Sequence, residues 1–173
     1  INNSLSNGLY IMDAVVLAGG YATRLWPITK DRAKPLLPVA GRSIIDYILE
    51  ELEREERISS VYISTNKRFK EDFSDYLDNS EYIKPELVIE QTNKEQEKLG
   101  TVKALEQLVD EKNIDDDLAV IAGDNLFSFK ISDLIDFYEE KQDTCVACYD
   151  VGSKNKAKSY GVVSINNSNK IKD

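Results

Sequence analysis

The run DAVVLAGG, residues 13–20, constrains the fold more than any other stretch. Its apolar residues follow one another without alternation, the pattern of a central parallel strand covered on both faces, and Gly19 and Gly20 end it. DLAVIAGD, residues 117–124, repeats the design with a carboxylate at its end. Between and after these runs, helical and strand patterns alternate. SIIDYILEELEREE places Ile44, Ile45, Ile48, Leu49 and Leu52 at helical spacing behind a Ser43 N-cap. SVYIST and ELVIE read as strands, FKEDFSDYLD and DLIDFYEEKQ as helices, and TVKALEQLVDEK as a helix with Val102, Leu105, Leu108 and Val109 on its apolar stripe. TCVACYDV and SYGVVSIN read as two further strands on either side of the polar linker GSKNKAK. The alternation predicts an α/β chain: a Rossmann-like, doubly wound, mainly parallel sheet with helices on both faces and right-handed crossovers.

Residues 1–12 are polar and read as an N-terminal tail or extension, with Met12 a plausible natural start; residues 13–173 read as one domain. A net charge of −9 speaks against a general nucleic-acid or membrane-surface binder, so any anionic ligand must meet a local basic cluster. With no apolar run of spanning length and no signal-peptide pattern, a cytoplasmic location is expected. Cys145 and Cys148 form a lone CxxC with no second pair to complete a zinc site, and are expected to be reduced thiols. The chain contains no histidine, so catalysis must use chemistry that needs neither a histidine base nor a histidine ligand.

In an open α/β sheet, ligands bind beyond the carboxyl ends of the strands. Two ends stand out: Leu17 to Thr23, and Gly123 to Asn125. Gly19 and Gly20 let backbone amides approach an anion; Thr23 adds a hydroxyl and Arg24 a forked cation suited to phosphate oxygens. Lys34 follows, its loop stiffened by Pro35. Arg24, Lys30, Arg32, Lys34 and Arg42 stand here against the single acidic Asp31, in a chain that is acidic overall. The glycines have neither the GK[ST] of the common phosphate loop nor GxGxxG spacing. Trp26 is expected to be a hydrophobic peg for the loop.

LAGGYATRLWPIT followed by AKPLLPVAG resembles the signature of sugar-1-phosphate nucleotidylyltransferases, LAGGxGTRLxPxTxxxxKPxxPVxG, and in particular the N-terminal catalytic portion of glucose-1-phosphate thymidylyltransferase-like members. EKLGTVKAL is similar to the LGTAxAL segment of that family, VIAGDNLF to its GD(N)xxF metal corner, and SYGVVSIN to its YGVVxxD strand. The resemblance implies the nucleotide-diphospho-sugar transferase fold and transfer of a nucleotidyl group from a nucleoside triphosphate to a sugar 1-phosphate, with release of pyrophosphate. It implies nucleotide binding by Leu17, Ala18, Gly19, Gly20, Tyr21, Ala22, Thr23 and Arg24, with Glu95, Gly100 and Thr101 near base and ribose. Arg24 and Lys34 are the implied catalytic cations, Asp124 the ligand of Mg2+, and Asn125, Tyr160 and Gly161 the sugar side. Glucose 1-phosphate with dTTP is favoured. Mannose 1-phosphate with GTP, a UTP- or CTP-dependent relative, and a non-catalytic regulatory module are the alternatives. Oligomeric state is not readable from the chain.

Three departures from the family pattern stand out. Ala22 replaces a third glycine, and Glu95, with Gln91 and Gln96 nearby, stands where a base-reading glutamine is usual. The usual EKP segment and a second metal carboxylate fall beyond Asp173. The chain therefore reads as a domain truncated at its C-terminal end, weakly active on its own.

Overall fold

The computed structural model describes residues 5–6, 9–90, 100–166 and 168–172. Two short strands, β1 (Leu5–Ser6) and β2 (Leu9–Tyr10), pair antiparallel ahead of the main sheet. The main sheet is built from β3 (Met12–Leu17), β6 (Ile58–Asn66), β7 (Pro85–Glu90) and β8 (Leu118–Ala122). Every pairing in it is parallel, and its order is β7-β6-β3-β8. Another short antiparallel ribbon, β4 (Pro38–Val39) with β5 (Arg42–Ser43), leads into the first helix.

β3 is central and buried on both faces, as its continuous apolar run requires. Val15 and Leu17 join Tyr62, Val88 and Leu118 under Leu105 and Leu108 of α3 (Thr101–Lys112). Ala14 and Val16 point the other way, beside Val61 and Ile63, and are fully buried. That second face belongs to α1 (Ile44–Arg54), which packs on β6 with all five predicted residues buried. Each such side chain contributes about 1.5–3 kcal/mol of apolar burial. The backbone N–H of Ser43 donates to the Asp46 carboxylate at 2.7 Å and fixes the start of α1. α2 (Lys70–Asp78) follows a 3-10 turn after β6 and contacts β7. The doubly wound arrangement with helices on both faces is thus realised.

The apolar stripe of α3 differs from the predicted one. Ala104 and Leu108 are buried and Leu105 half-buried, whereas Val102 is 79% exposed. Val102 lies in the first turn, ahead of the part of the helix that meets the sheet.

The chain divides into two compact units, Ile1–Asp133 and Leu134–Asp173, with α4 (Ile131–Lys141) spanning the division. The second unit holds α5 (Lys154–Ala157), a single turn inside the expected linker, where the Ser153 hydroxyl accepts from the Lys156 N–H. Neither TCVACYDV nor SYGVVSIN forms a strand. Residues 145–151 carry no regular structure, and Ile165 makes only an isolated antiparallel bridge with Ile171. A strand exists only through its ladder, and β-type composition without a neighbouring backbone leaves Val146 and Tyr149 exposed. Cys145 and Cys148 are free thiols. Among the described residues no helix is long and apolar enough to cross a membrane.

Candidate functional site

The sheet order places a reversal at β3: the chain moves outward through β6 and β7, then returns to lay β8 on the other side of β3. A crevice at such a reversal, beyond the carboxyl ends of the strands, is where open α/β sheets take ligands. Leu17, the last residue of β3, is level with Ser64 on one side and Ala122 on the other. The glycine loop and the Gly123–Asp124 turn therefore leave the sheet side by side.

The loop is held from below. The Ala18 N–H donates to the Ser64 carbonyl at 2.7 Å, and the Asn66 amide donates to the Gly19 carbonyl at 2.8 Å. A Cβ at Gly19 would lie 2.2 Å from Oε1 of Glu90, so a side chain there would have to push that carboxylate aside. Burial holds the Glu90 carboxyl above the ordinary glutamate range, partly offset by the hydrogen bond it accepts from Ser64. Gly20 faces open space. Tyr21 is buried, with its ring 6.1 Å from that of Phe69. Ala22 takes a left-handed conformation, φ 47° and ψ 39°, which explains why glycine is usual at that point and what the methyl group costs. Thr23 opens a 3-10 turn, Thr23–Leu25, that carries the exposed Arg24 outward.

Lys34 and Asp124, ninety positions apart, are brought into contact: Lys34 Nζ lies 2.6 Å from Asp124 Oδ2. Lys34 begins a 3-10 turn, Lys34–Leu36, anchored by the buried Pro35 and Leu36 against α1. Asp124 is delivered by Gly123, whose N–H donates to the Leu17 carbonyl at 2.9 Å. A Cβ on Gly123 would stand 3.1 Å from that carbonyl oxygen, so glycine keeps the end of β8 against β3. The Lys34 and Asp124 side chains keep 31% and 41% of their exposure, which leaves both within reach of a ligand.

The remaining predicted residues are placed less centrally. Asn125 lines a cavity of about 210 Å³ with Tyr47, Glu50, Phe127 and Phe129, to which the glycine loop contributes nothing. Gly100 is the N-cap residue of α3 and Thr101 its first residue. Tyr160 and Gly161 are exposed in the second unit. Glu95, Gln91 and Gln96 lie outside the described residues. Trp26 is not a peg: it is 50% exposed, beside exposed Leu25 and Ile28. Arg42 turns away from the loop to Glu50, 2.7 Å from its carboxylate and 4.5 Å above the Tyr47 ring, and the Glu50 hydrogen bond raises its pKa further.

Sequence reasoning missed Arg68, which donates to the Lys30 carbonyl from the 3-10 turn after β6, Lys67–Phe69, and adds a cation on that side. It also missed Ser64, Thr65, Asn66 and Glu90, which support the loop. The signal available was the polar run Ser64–Asn66 where a buried strand should stay apolar.

No group of three or more His, Cys, Asp or Glu side chains among the described residues could hold a metal ion alone. A single exposed carboxylate suits a cation that takes most of its ligands from a bound anion and water. The glycine turn, the basic loop and the Asp124 carboxylate thus stand together at the carboxyl end of the sheet, where backbone N–H groups and cations can meet an anion.

Comparison with known proteins identifies the family. Residues 13–173 match the model of the nucleotidyl transferase family. The bifunctional protein GlmU of Methanococcus vannielii is 31% identical over 160 residues, covering 92% of this chain and 34% of that protein. The glucose-1-phosphate adenylyltransferase of Trichlorobacter lovleyi is 31% identical over 172 residues, covering 91% of this chain and 40% of its own length. A Bacillus anthracis protein assigned as a glucose-1-phosphate thymidylyltransferase, solved with sucrose, superposes with a TM-score of 0.65 at 28% identity, over 76% of this chain and 51% of that one. The chain thus spans about a third of the length of the GlmU proteins it matches.

Proposed function

Because this chain belongs to the nucleotidyl transferase family, we propose that it transfers a nucleotidyl group from a nucleoside triphosphate to a sugar 1-phosphate, with dTTP and glucose 1-phosphate as the favoured pair. The observation that carries this reading is the 2.6 Å approach of Lys34 to Asp124 beside the glycine loop, at the reversal of strand order.

In this reading the backbone of Leu17–Thr23 cradles the triphosphate, and Arg24 neutralises the β- and γ-phosphates. Lys34 holds the sugar phosphate against the α-phosphate, so that nucleophile and electrophile meet in line. A phosphate oxygen of the sugar 1-phosphate forms the new bond to the α-phosphorus. The bond from that phosphorus to the α–β bridging oxygen breaks, and pyrophosphate leaves with the electron pair. The nucleophile is already ionised at neutral pH and no proton has to be removed, which suits a chain without histidine. Asp124 would hold Mg2+, which supplies charge neutralisation at the phosphates. The family resemblance assigns Gly100, Thr101 and Glu95 to base and ribose, and Asn125, Tyr160 and Gly161 to the sugar. Residues 13–173 serve as the nucleotidyltransferase portion of a longer cytoplasmic enzyme, with residues 1–12 as an extension.

Lys34→Ala tests the reading. Transfer should fall by at least about a hundredfold, the scale for losing a charged group that acts in the transition state. Thermal stability should nearly hold, since Lys34 is half-buried on its 3-10 turn and its ion pair with Asp124 keeps contact with solvent. Unchanged transfer removes Lys34 from its role.

A further inference from the structure

Four polar side chains are buried among the described residues: Thr29, Ser64, Thr65 and Asn66. They come from β6 and from the loop after β3; three of them bond the backbone between Ala18 and Ala22, and Ser64 bonds the Glu90 carboxylate beside it. Asn66 donates to the Gly19 carbonyl at 2.8 Å, Thr65 to the Ala18 carbonyl at 3.4 Å, and Thr29 to the Ala22 carbonyl at 2.8 Å. Ser64 donates at 3.1 Å to Glu90, the carboxylate packed beneath Gly19. A buried polar group left without a partner costs about 1–3 kcal/mol, so such groups persist where their bonds are made. Here every one of those bonds supports the same loop.

We infer that Asn66 is a positioning residue for the nucleotide: by holding the Gly19 carbonyl down, it aims the Gly20 N–H into the crevice for a phosphate oxygen. In a planar trans peptide the carbonyl of one residue and the N–H of the next point in opposite directions. Fixing the Gly19 oxygen toward Asn66 therefore turns the Gly20 N–H outward, where Gly20 meets open space. Glycines on both sides of that peptide would otherwise let it flip freely. Thr29 complements the device by holding the carbonyl of left-handed Ala22. The inference rests on the nucleotide-transfer reading above.

Asn66 also uses its other end. Its Oδ1 accepts from the N–H groups of Arg68 and Phe69, at 2.9 and 3.3 Å, and caps the turn after β6. Asn66→Asp separates the two roles: the cap keeps an acceptor oxygen, while the donor to Gly19 is replaced by an oxygen that repels its carbonyl. Affinity for dTTP with magnesium, measured by titration calorimetry, should weaken about tenfold or more, the scale of one lost and mispaired hydrogen bond. In the transfer assay the triphosphate KM should rise by a similar factor and the sugar 1-phosphate KM should stay within about twofold. If Asn66→Asp does not fold, Thr29→Val, which removes the second anchor at nearly constant volume, should weaken dTTP in the same selective way. Unchanged dTTP affinity in a folded variant, or an equal rise in both KM values, overturns the inference. Wild-type protein that binds dTTP but transfers to no sugar 1-phosphate contradicts the proposed reaction; the calorimetric comparison then decides the role of Asn66 by itself.

Discussion

Replacing Gly19 with alanine probes the packing of the nucleotide loop against Glu90. The new Cβ would lie 2.2 Å from Oε1, 2.7 Å from Cδ and 2.8 Å from Oε2 of that side chain. The carboxylate must retreat and give up the Ser64 hydroxyl, a bond of 3.1 Å. The lost hydrogen bond costs about 1 kcal/mol and the displaced rotamer about another. Alanine returns about 0.4–1 kcal/mol by restricting the unfolded chain. The net loss is about 1 kcal/mol, or roughly 2–4 °C in Tm for a chain of this size. With Glu90→Ala already in place the obstruction is gone, and Gly19→Ala should raise Tm instead. A double-mutant cycle followed by thermal denaturation reads this change of sign. Equal losses in both backgrounds would refute the idea that Glu90 is what excludes a side chain at position 19.

Two further outcomes follow from the same loop. Ala22→Gly relieves a left-handed alanine, φ 47°, so Tm should hold or rise, whereas glycine in place of the strand residue Ala14 should lower it. Burial raises the Glu90 carboxyl, so above the usual glutamate range the folded state binds more protons there than the unfolded state. Stability from this group therefore falls as pH rises through the folded pKa. Glu90→Gln should gain in Tm over wild type on going from pH 4.5 toward 7, and a difference independent of pH would contradict the assignment.

How much of this was legible in the sequence depends on what each residue does. DAVVLAGG was readable because burial on both faces demands an unbroken apolar run and glycine marks close backbone approach; DLAVIAGD shares the pattern, yet β8 ends the described sheet and its Val120 is 46% exposed. Lys34 and Asp124 were readable as charges in loops, though nothing in their spacing shows that they touch. Ser64, Thr65 and Asn66 left only a faint mark, a polar run at the end of an apolar strand, and the placement of the Gly19 loop beside the end of β6 is what gives it meaning. Val102 and Trp26 illustrate the opposite error, in which apolar character was taken for burial. TCVACYDV shows that strand composition is no substitute for a neighbouring strand. Arg42 sits in a basic stretch of sequence, yet α1 presents Glu50 to it and draws it off.

The proposed reaction is tested most directly by following pyrophosphate release across a matrix of nucleoside triphosphates and sugar 1-phosphates, with magnesium, on the protein that contains this chain. The account predicts release that requires both substrates, is greatest with dTTP and glucose 1-phosphate, and is lost in Lys34→Ala. Triphosphate binding without pyrophosphate release from any pair would contradict it and would leave a nucleotide-binding module in place of an enzyme.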